Sequence, residues 1–214
     1  MLELGNYRYR VTQSVVRITA MKKFEPKDYY GQDFKSIHED GTIFSDLIIE
    51  NCQFQSCSFV QTKWHRCKFE DCVFDRCDFS LAEFNKSSFV NVALTHSKMM
   101  SIDWTKLNIP FSLELKCEQC ILDHSIFYGL NMKNSHIVES SAKHVIFEEA
   151  DLSSATLIGS DFEQTRFHNT NLSGSNFSKA SNYSIDYQYN SIKKAIFSLP
   201  EAASLLTALG IILK

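Results

Sequence analysis

The sequence predicts an all-β solenoid, and three observations carry that prediction. A bulky apolar residue returns at every fifth position from Phe34 to Phe177, a small residue usually stands two positions before it, and the pattern runs through most of the 214 residues. Period five fits neither an amphipathic helix nor a flat strand. Repetition over so many units is the signature of a coil that stacks on itself.

The first run of large residues is Phe44, Ile49, Phe54, Phe59, Trp64, Phe69, Phe74, Phe79, Phe84, Phe89, Leu94, Met99, Trp104 and Ile109. The second, in a different phase, is Leu122, Phe127, Met132 and Ile137, then Phe147, Leu152, Leu157, Phe162, Phe167, Leu172 and Phe177. Each unit reads small-x-large-x-x. Residues two apart point the same way in an extended segment. The other residues must turn the chain, so that the next large side chain returns to the same core.

The units Ala150-Asp151-Leu152-Ser153-Ser154 and Thr170-Asn171-Leu172-Ser173-Gly174 resemble the consensus of the pentapeptide-repeat family, and the resemblance covers roughly residues 24 to 197. It implies a right-handed quadrilateral β-helix with four units, or twenty residues, per coil. Phe44, Trp64, Phe84 and Trp104 then form one inner column, and Ile49, Phe69, Phe89 and Ile109 the next. With strands stacked about 4.8 Å apart, the rod is roughly 35 Å long. Five organisational units follow. Residues 1–23 are a flexible N-terminal extension, 24–109 a first half-rod, 110–121 a phase break or loop, 122–197 a second half-rod with its cap, and 198–214 a C-terminal helix and tail.

Seven cysteines invite a metal or disulfide reading. Cys52, Cys57, Cys67, Cys72, Cys77 and Cys120 instead occupy the small inner position, where a thiol behaves as a small hydrophobe. Cys117-x-x-Cys120 is half a zinc site with no second pair near it. No metal or cofactor is expected. Buried thiols without a secretion signal fit a reducing cytoplasm, and no stretch is long enough to span a membrane. The net charge of −3 implies no partner by itself.

The repeat is violated in three places. At Ser36–Gly41 an acidic residue, Glu39, fills an apolar slot, which reads as an irregular first coil capping the rod. Between Ile109 and Leu122 three extra residues enter. They form either a kink between half-rods or a projecting recognition loop, with Pro110, Phe111, Leu113 and Leu115 as its candidate contacts. After Phe177 the pattern fades, returns at Phe197, and gives way to Ser198-Leu199-Pro200-Glu201. A serine followed three later by glutamate reads as a capping box. Ala202, Leu205, Leu206 and Leu209 have helical spacing, and Gly210 stops the helix. Leu205, Leu206, Leu209 and Ile211 are expected to join two copies end to end.

No catalytic constellation is present. The chain lacks a phosphate-cradling glycine loop and a Gly-x-Ser-x-Gly elbow. Its histidines fall mostly on outward slots, with His124 and His144 twenty apart as a stacked pair of solvated surface residues. A rod filled by its own side chains leaves no room for a substrate pocket, so the expectation is a non-enzyme that works by surface recognition. The segment from Ser198 to Lys214 is similar to the C-terminal dimerisation segment of the Qnr, MfpA and McbG group of pentapeptide-repeat proteins. That resemblance implies a DNA-mimicking homodimer that binds DNA gyrase or topoisomerase IV, not nucleic acid itself, and protects the enzyme from quinolones or other poisons. An acidic face of Glu148, Glu149, Asp151, Asp161 and Glu163 would carry the mimicry. Against it, Asp123, Lys143 and Glu163 are spaced to form a mixed ladder. The alternative is an interaction scaffold with an unrelated protein partner.

Overall fold

The computed structural model describes residues 24–25 and 27–211, together with the backbone of two short antiparallel strands, Glu3–Leu4 and Tyr7–Arg8. The expectations for the rest of residues 1–23 and for the end of the apolar tail lie outside the described residues. The chain is a right-handed quadrilateral β-helix of about 8 turns, ending in one short helix.

Register follows the five-residue period. Phe44 pairs with Trp64 and Trp64 with Phe84, each twenty positions on, in parallel strands. Ile49, Phe69 and Phe89 pair in the same way. Taken in chain order, the four faces of a coil carry Tyr29, Phe34, Glu39 and Phe44, and every later coil repeats them. The second face forms a continuous parallel sheet from Asp33–Lys35 through Gln53–Gln55, Val73–Asp75, Ala93–Thr95 and Lys116–Glu118 to His136–Val138. The third face is held by single bridges, from His38 and Ser58 to Asp161 and Ser181.

Each corner turns by placing the second residue after the large one in the left-handed region. Arg66, Arg76, Leu81, Lys86 and Ser154 all have φ between 52° and 62°. That conformation costs roughly 1–2 kcal/mol for a residue with a Cβ. It is offset because the corner N–H donates to a carbonyl of the next coil, as Leu81 does to Met100 at 2.8 Å. Glycine is therefore dispensable at most corners.

Inside, aromatic rings stack from coil to coil. Phe54 lies 4.7 Å from both Phe34 and Phe74 at 16°. Phe24 plugs the N-terminal end, its ring against Tyr29, Phe34 and Phe44. Glu39 completes that cap, since its Oε1 accepts the Phe24 N–H at 3.1 Å. All seven cysteines are buried free thiols. Cys117 takes a large-residue slot, paired with Leu94 below and Ile137 above.

The C-terminal helix departs from expectation in kind and in capping. Glu201–Leu209 is a 3₁₀ helix, and Gly210 ends it in the left-handed conformation at φ 69°. Ser198 does not form a capping box. Its hydroxyl accepts the Lys179 N–H at 2.7 Å, serving a corner of the coil below instead of the helix.

Candidate partner-binding surfaces

The phase break is a local feature of one corner. Leu94 pairs with Cys117, three positions further on than the twenty-residue repeat requires, and the register resumes immediately. The extra residues lie between the first and second faces. There Phe111 is 86% exposed, and its carbonyl accepts the Asn131 amide at 3.1 Å. Pro110 is also exposed.

Leu113 and Leu115 are in the core, each 2% exposed. The Leu113 N–H donates to the Asn131 carbonyl, and the Ser135 hydroxyl donates to the Leu113 carbonyl. They extend the alternation that leads to Cys117, and they are corrected from partner contacts to core residues. What projects is a short tip, Pro110 and Phe111, on a segment whose other apolar side chains fill the rod.

The five acidic residues do not make one face. Asp161 and Glu163 flank Phe162 on the third face, Glu148 follows Phe147 on the fourth with Glu149 at its corner, and Asp151 precedes Leu152 on the first. Four of them are also ion-paired, to three cations. Lys143 reaches Asp161 at 3.0 Å and Glu163 at 2.8 Å, Arg166 reaches Glu148 at 3.1 Å, and Lys133 reaches Asp151 at 3.3 Å. Burial alone would raise Asp161, but hydrogen bonds from Asn182 and Lys143 outweigh it and hold the carboxyl below its ordinary value. The Lys143–Glu163 pair is the mixed ladder that their spacing anticipates. These five residues therefore do not form a continuous acidic face, because the four-sided coil distributes their positions around the rod and places a cation beside nearly every one.

The C-terminal end is the more apolar surface. Leu199 is 82% exposed, Leu209 51%, Ile211 48% and Leu206 39%, while Leu205 is half-buried against the core. Ile196, also exposed, continues the patch onto the second face. At the opposite end of the described residues Phe24 fills the core from within, while Tyr30 and Ile43 are exposed on the first coil.

Concavities are shallow. An open groove of about 650 Å³ is lined by Arg66, Lys68, Lys86, Ser88, Leu107 and Asn108. It lies where the fourth-face strand gives way to a 3₁₀ turn at Trp104–Lys106. Burial pushes the Cys72 thiol up to about 12, and no thiol is exposed to act as a nucleophile. Among the described residues, no group of three or more His, Cys, Asp or Glu side chains is placed to hold a metal ion. No helix among them is long and apolar enough to cross a membrane.

Two family models match the chain. The pentapeptide repeat region covers residues 47–112, and pentapeptide repeats in eight copies cover residues 146–181. No curated protein sequence matches it. Among solved structures, a trypsin-treated form of QnrB1, a plasmid-mediated fluoroquinolone resistance protein, is similar with a TM-score of 0.67 and 17% identity, covering 87% of this chain and 97% of that one. Full-length QnrB1 gives a TM-score of 0.55 and 17% identity over 84% of this chain and 100% of that one. HetL, a pentapeptide repeat protein involved in heterocyst differentiation regulation from the cyanobacterium Nostoc sp. strain PCC 7120, gives 0.56 and 14% over 78% and 86%. At these identities the likeness is one of fold. Period, corner geometry, coil register and family models agree, and the chain belongs to the pentapeptide-repeat family.

Proposed function

We propose that this rod is a non-enzymatic, cytoplasmic protein that binds DNA gyrase or topoisomerase IV and protects it from quinolones or other topoisomerase poisons, as an antibiotic-resistance or immunity protein. The observation that carries the reading is the fold shared with a fluoroquinolone resistance protein along 87% of this chain. A core filled by its own side chains, with only shallow surface concavities, is consistent with recognition rather than catalysis.

The mimicry we propose is of the size and shape of duplex DNA, not of its charge. Duplex DNA carries one charge per about 1.7 Å, whereas the five candidate acids are spread over three faces and four of them are ion-paired. Pro110 and Phe111 are the proposed contacts at the break. The exposed Leu206, Leu209 and Ile211, with Leu205 beneath them, are the proposed homodimer interface, since apolar patches of this kind mark interfaces. Leu206→Asp would bury an unpaired charge there. Light scattering is expected to find the wild type dimeric and the variant monomeric, and a variant that stays dimeric removes this interface.

The deciding experiment is a gyrase and topoisomerase IV supercoiling and cleavage assay with purified protein, against a quinolone and a panel of peptide poisons. Rescue by one class is the expected result and names the threat. Absence of any effect on either enzyme favours the second reading, a scaffold for an unrelated protein, to which the ion-paired faces also point.

A further inference from the structure

We propose that His124 and His144 form a binding site for one divalent transition-metal ion of the nickel, copper or zinc class, at the corner between the third and fourth faces of the second half-rod. The two imidazoles stack with centroids 4.7 Å apart and planes within 9°. Both side chains are exposed. Both residues sit in the left-handed corner conformation, at φ 63° and 56°. Their backbones are pinned to the next coil, His124 N–H to the Lys143 carbonyl and His144 N–H to the Glu163 carbonyl, each at 2.9 Å. The ladder thus fixes the spacing of the pair and leaves only the side-chain torsions free.

The geometry suits a shared ion. Metal–imidazole bonds are about 2.0–2.1 Å, so two nitrogens on one ion lie at most about 4 Å apart. In the observed stack the ring planes are parallel, so both exposed rings turn about their side-chain torsions to bring an in-plane nitrogen lone pair of each onto one ion. Neutral imidazole is the commonest metal ligand and favours zinc, copper and nickel over harder ions. Water completes the coordination, since two side chains are the whole protein contribution. The adjoining column supplies a favourable field. Asp123 accepts the Ser141 hydroxyl at 2.6 Å and the Lys143 N–H at 2.9 Å, while the Lys143 ammonium is shared between Asp161 and Glu163. Other histidines have different surroundings: His96 is paired with Asp75, and His168 lies against Tyr189.

An ion on both rings would tie two successive coils through their side chains and stabilise the folded rod by mass action. This inference is independent of the topoisomerase reading. The test is isothermal titration of the untagged full chain with nickel chloride, paired with thermal unfolding with and without the ion. The expected result is one ion per chain and a rise of several degrees in the unfolding midpoint, both lost in His124→Asn and in His144→Asn. Asparagine tolerates the left-handed conformation, and circular dichroism checks that each variant is folded. No binding heat and no midpoint shift would overturn the proposal, as would binding that survives in both folded variants.

Discussion

The two half-rods build the same coil from different chemistry. Before the break, the core is aromatic and the small positions are largely thiols. Phe54, Phe59, Phe69, Phe74, Phe79 and Phe84 are all 2% exposed or less, and Cys72 and Cys77 touch carbonyls of the coil below only through weak sulfur contacts at 3.3 and 3.5 Å. After the break, large positions are mostly aliphatic and small positions carry hydroxyls. Ser160 donates to the Ile137 carbonyl at 2.9 Å and accepts the Ser140 N–H at 3.1 Å, and Ser135 does the same with Leu113 and Leu115. Both devices occur in each half, with Ser87 and Ser97 bridging coils before the break and Phe127, Phe147 and Phe167 stacking after it. Rings fill more of the first half, and hydroxyl bridges are more frequent in the second. A square coil requires only that each inner column be filled and each inner polar group paired, so either solution satisfies it.

The largest way to break this comparison is Phe74→Ala. Its ring stacks on Phe54 and meets Phe69 and Phe79 edge-on. Removal should cost about 3–5 kcal/mol, read as the loss of stability in urea unfolding. A cost near 1 kcal/mol would mean that the aromatic columns are not what holds the first half. Ser160→Ala is the corresponding test of the second half. It leaves a buried carbonyl and a buried N–H unpaired, with an expected cost of about 1–3 kcal/mol. Unchanged stability would show that the hydroxyl bridges are dispensable.

Corners offer a gain in place of a loss. Gly31, Gly41, Gly129, Gly159 and Gly174 stand at left-handed corners, whereas Leu81 is held at φ 62° with half its surface in water. Leu81→Asn should stabilise the rod by about 1 kcal/mol, seen as a higher unfolding midpoint.

The smallest effect is electrostatic. The Arg66 guanidinium, bonded through two nitrogens at 2.6 Å, holds Asp46 below the ordinary carboxylate value. Asp151 and Asp161 in the second half are also lowered, the hydrogen bonds around each outweighing its burial. A depressed folded value means that the contribution is complete above the ordinary carboxyl range, about 4. It is lost as pH falls through that range toward the lower folded values. Midpoints measured from about pH 5 downward should decline gradually, and Lys143→Ala should flatten the part of the decline that belongs to Asp161. These are exposed pairs, so each contributes little.

Much of this was legible in the residues. The thiols at inner positions and the capping role of Glu39 follow from spacing. The columns from Phe44 to Trp104 and from Phe177 to Phe197 and the mixed ladder at Lys143 follow once the family resemblance sets twenty residues to a coil. Three features did not. Leu113 and Leu115 alternate with Phe111, yet they point inward while Phe111 does not. The alternation marks a shared face without saying where it ends, and the inward set continues to Cys117. Ser198 carries a capping pattern, but its hydroxyl is taken by the Lys179 N–H at the corner of the coil below. The acids looked like one cluster because they are close in sequence, and a coil that turns a quarter every five residues sends such neighbours to different sides.

By itself, then, the sequence determined the coil: a five-residue period with large residues inward admits few other ways to bury them all, and local spacing carries that information. Tertiary structure alone decided which groups are left over once the coil is closed: that Leu113 and Leu115 turn inward while Phe111 does not, that the Ser198 hydroxyl serves Lys179, and that the five acids lie on three faces. Those depend on which atoms lie in the neighbouring coil twenty or twenty-three residues away, and on competition among them for the same hydrogen bonds and the same space.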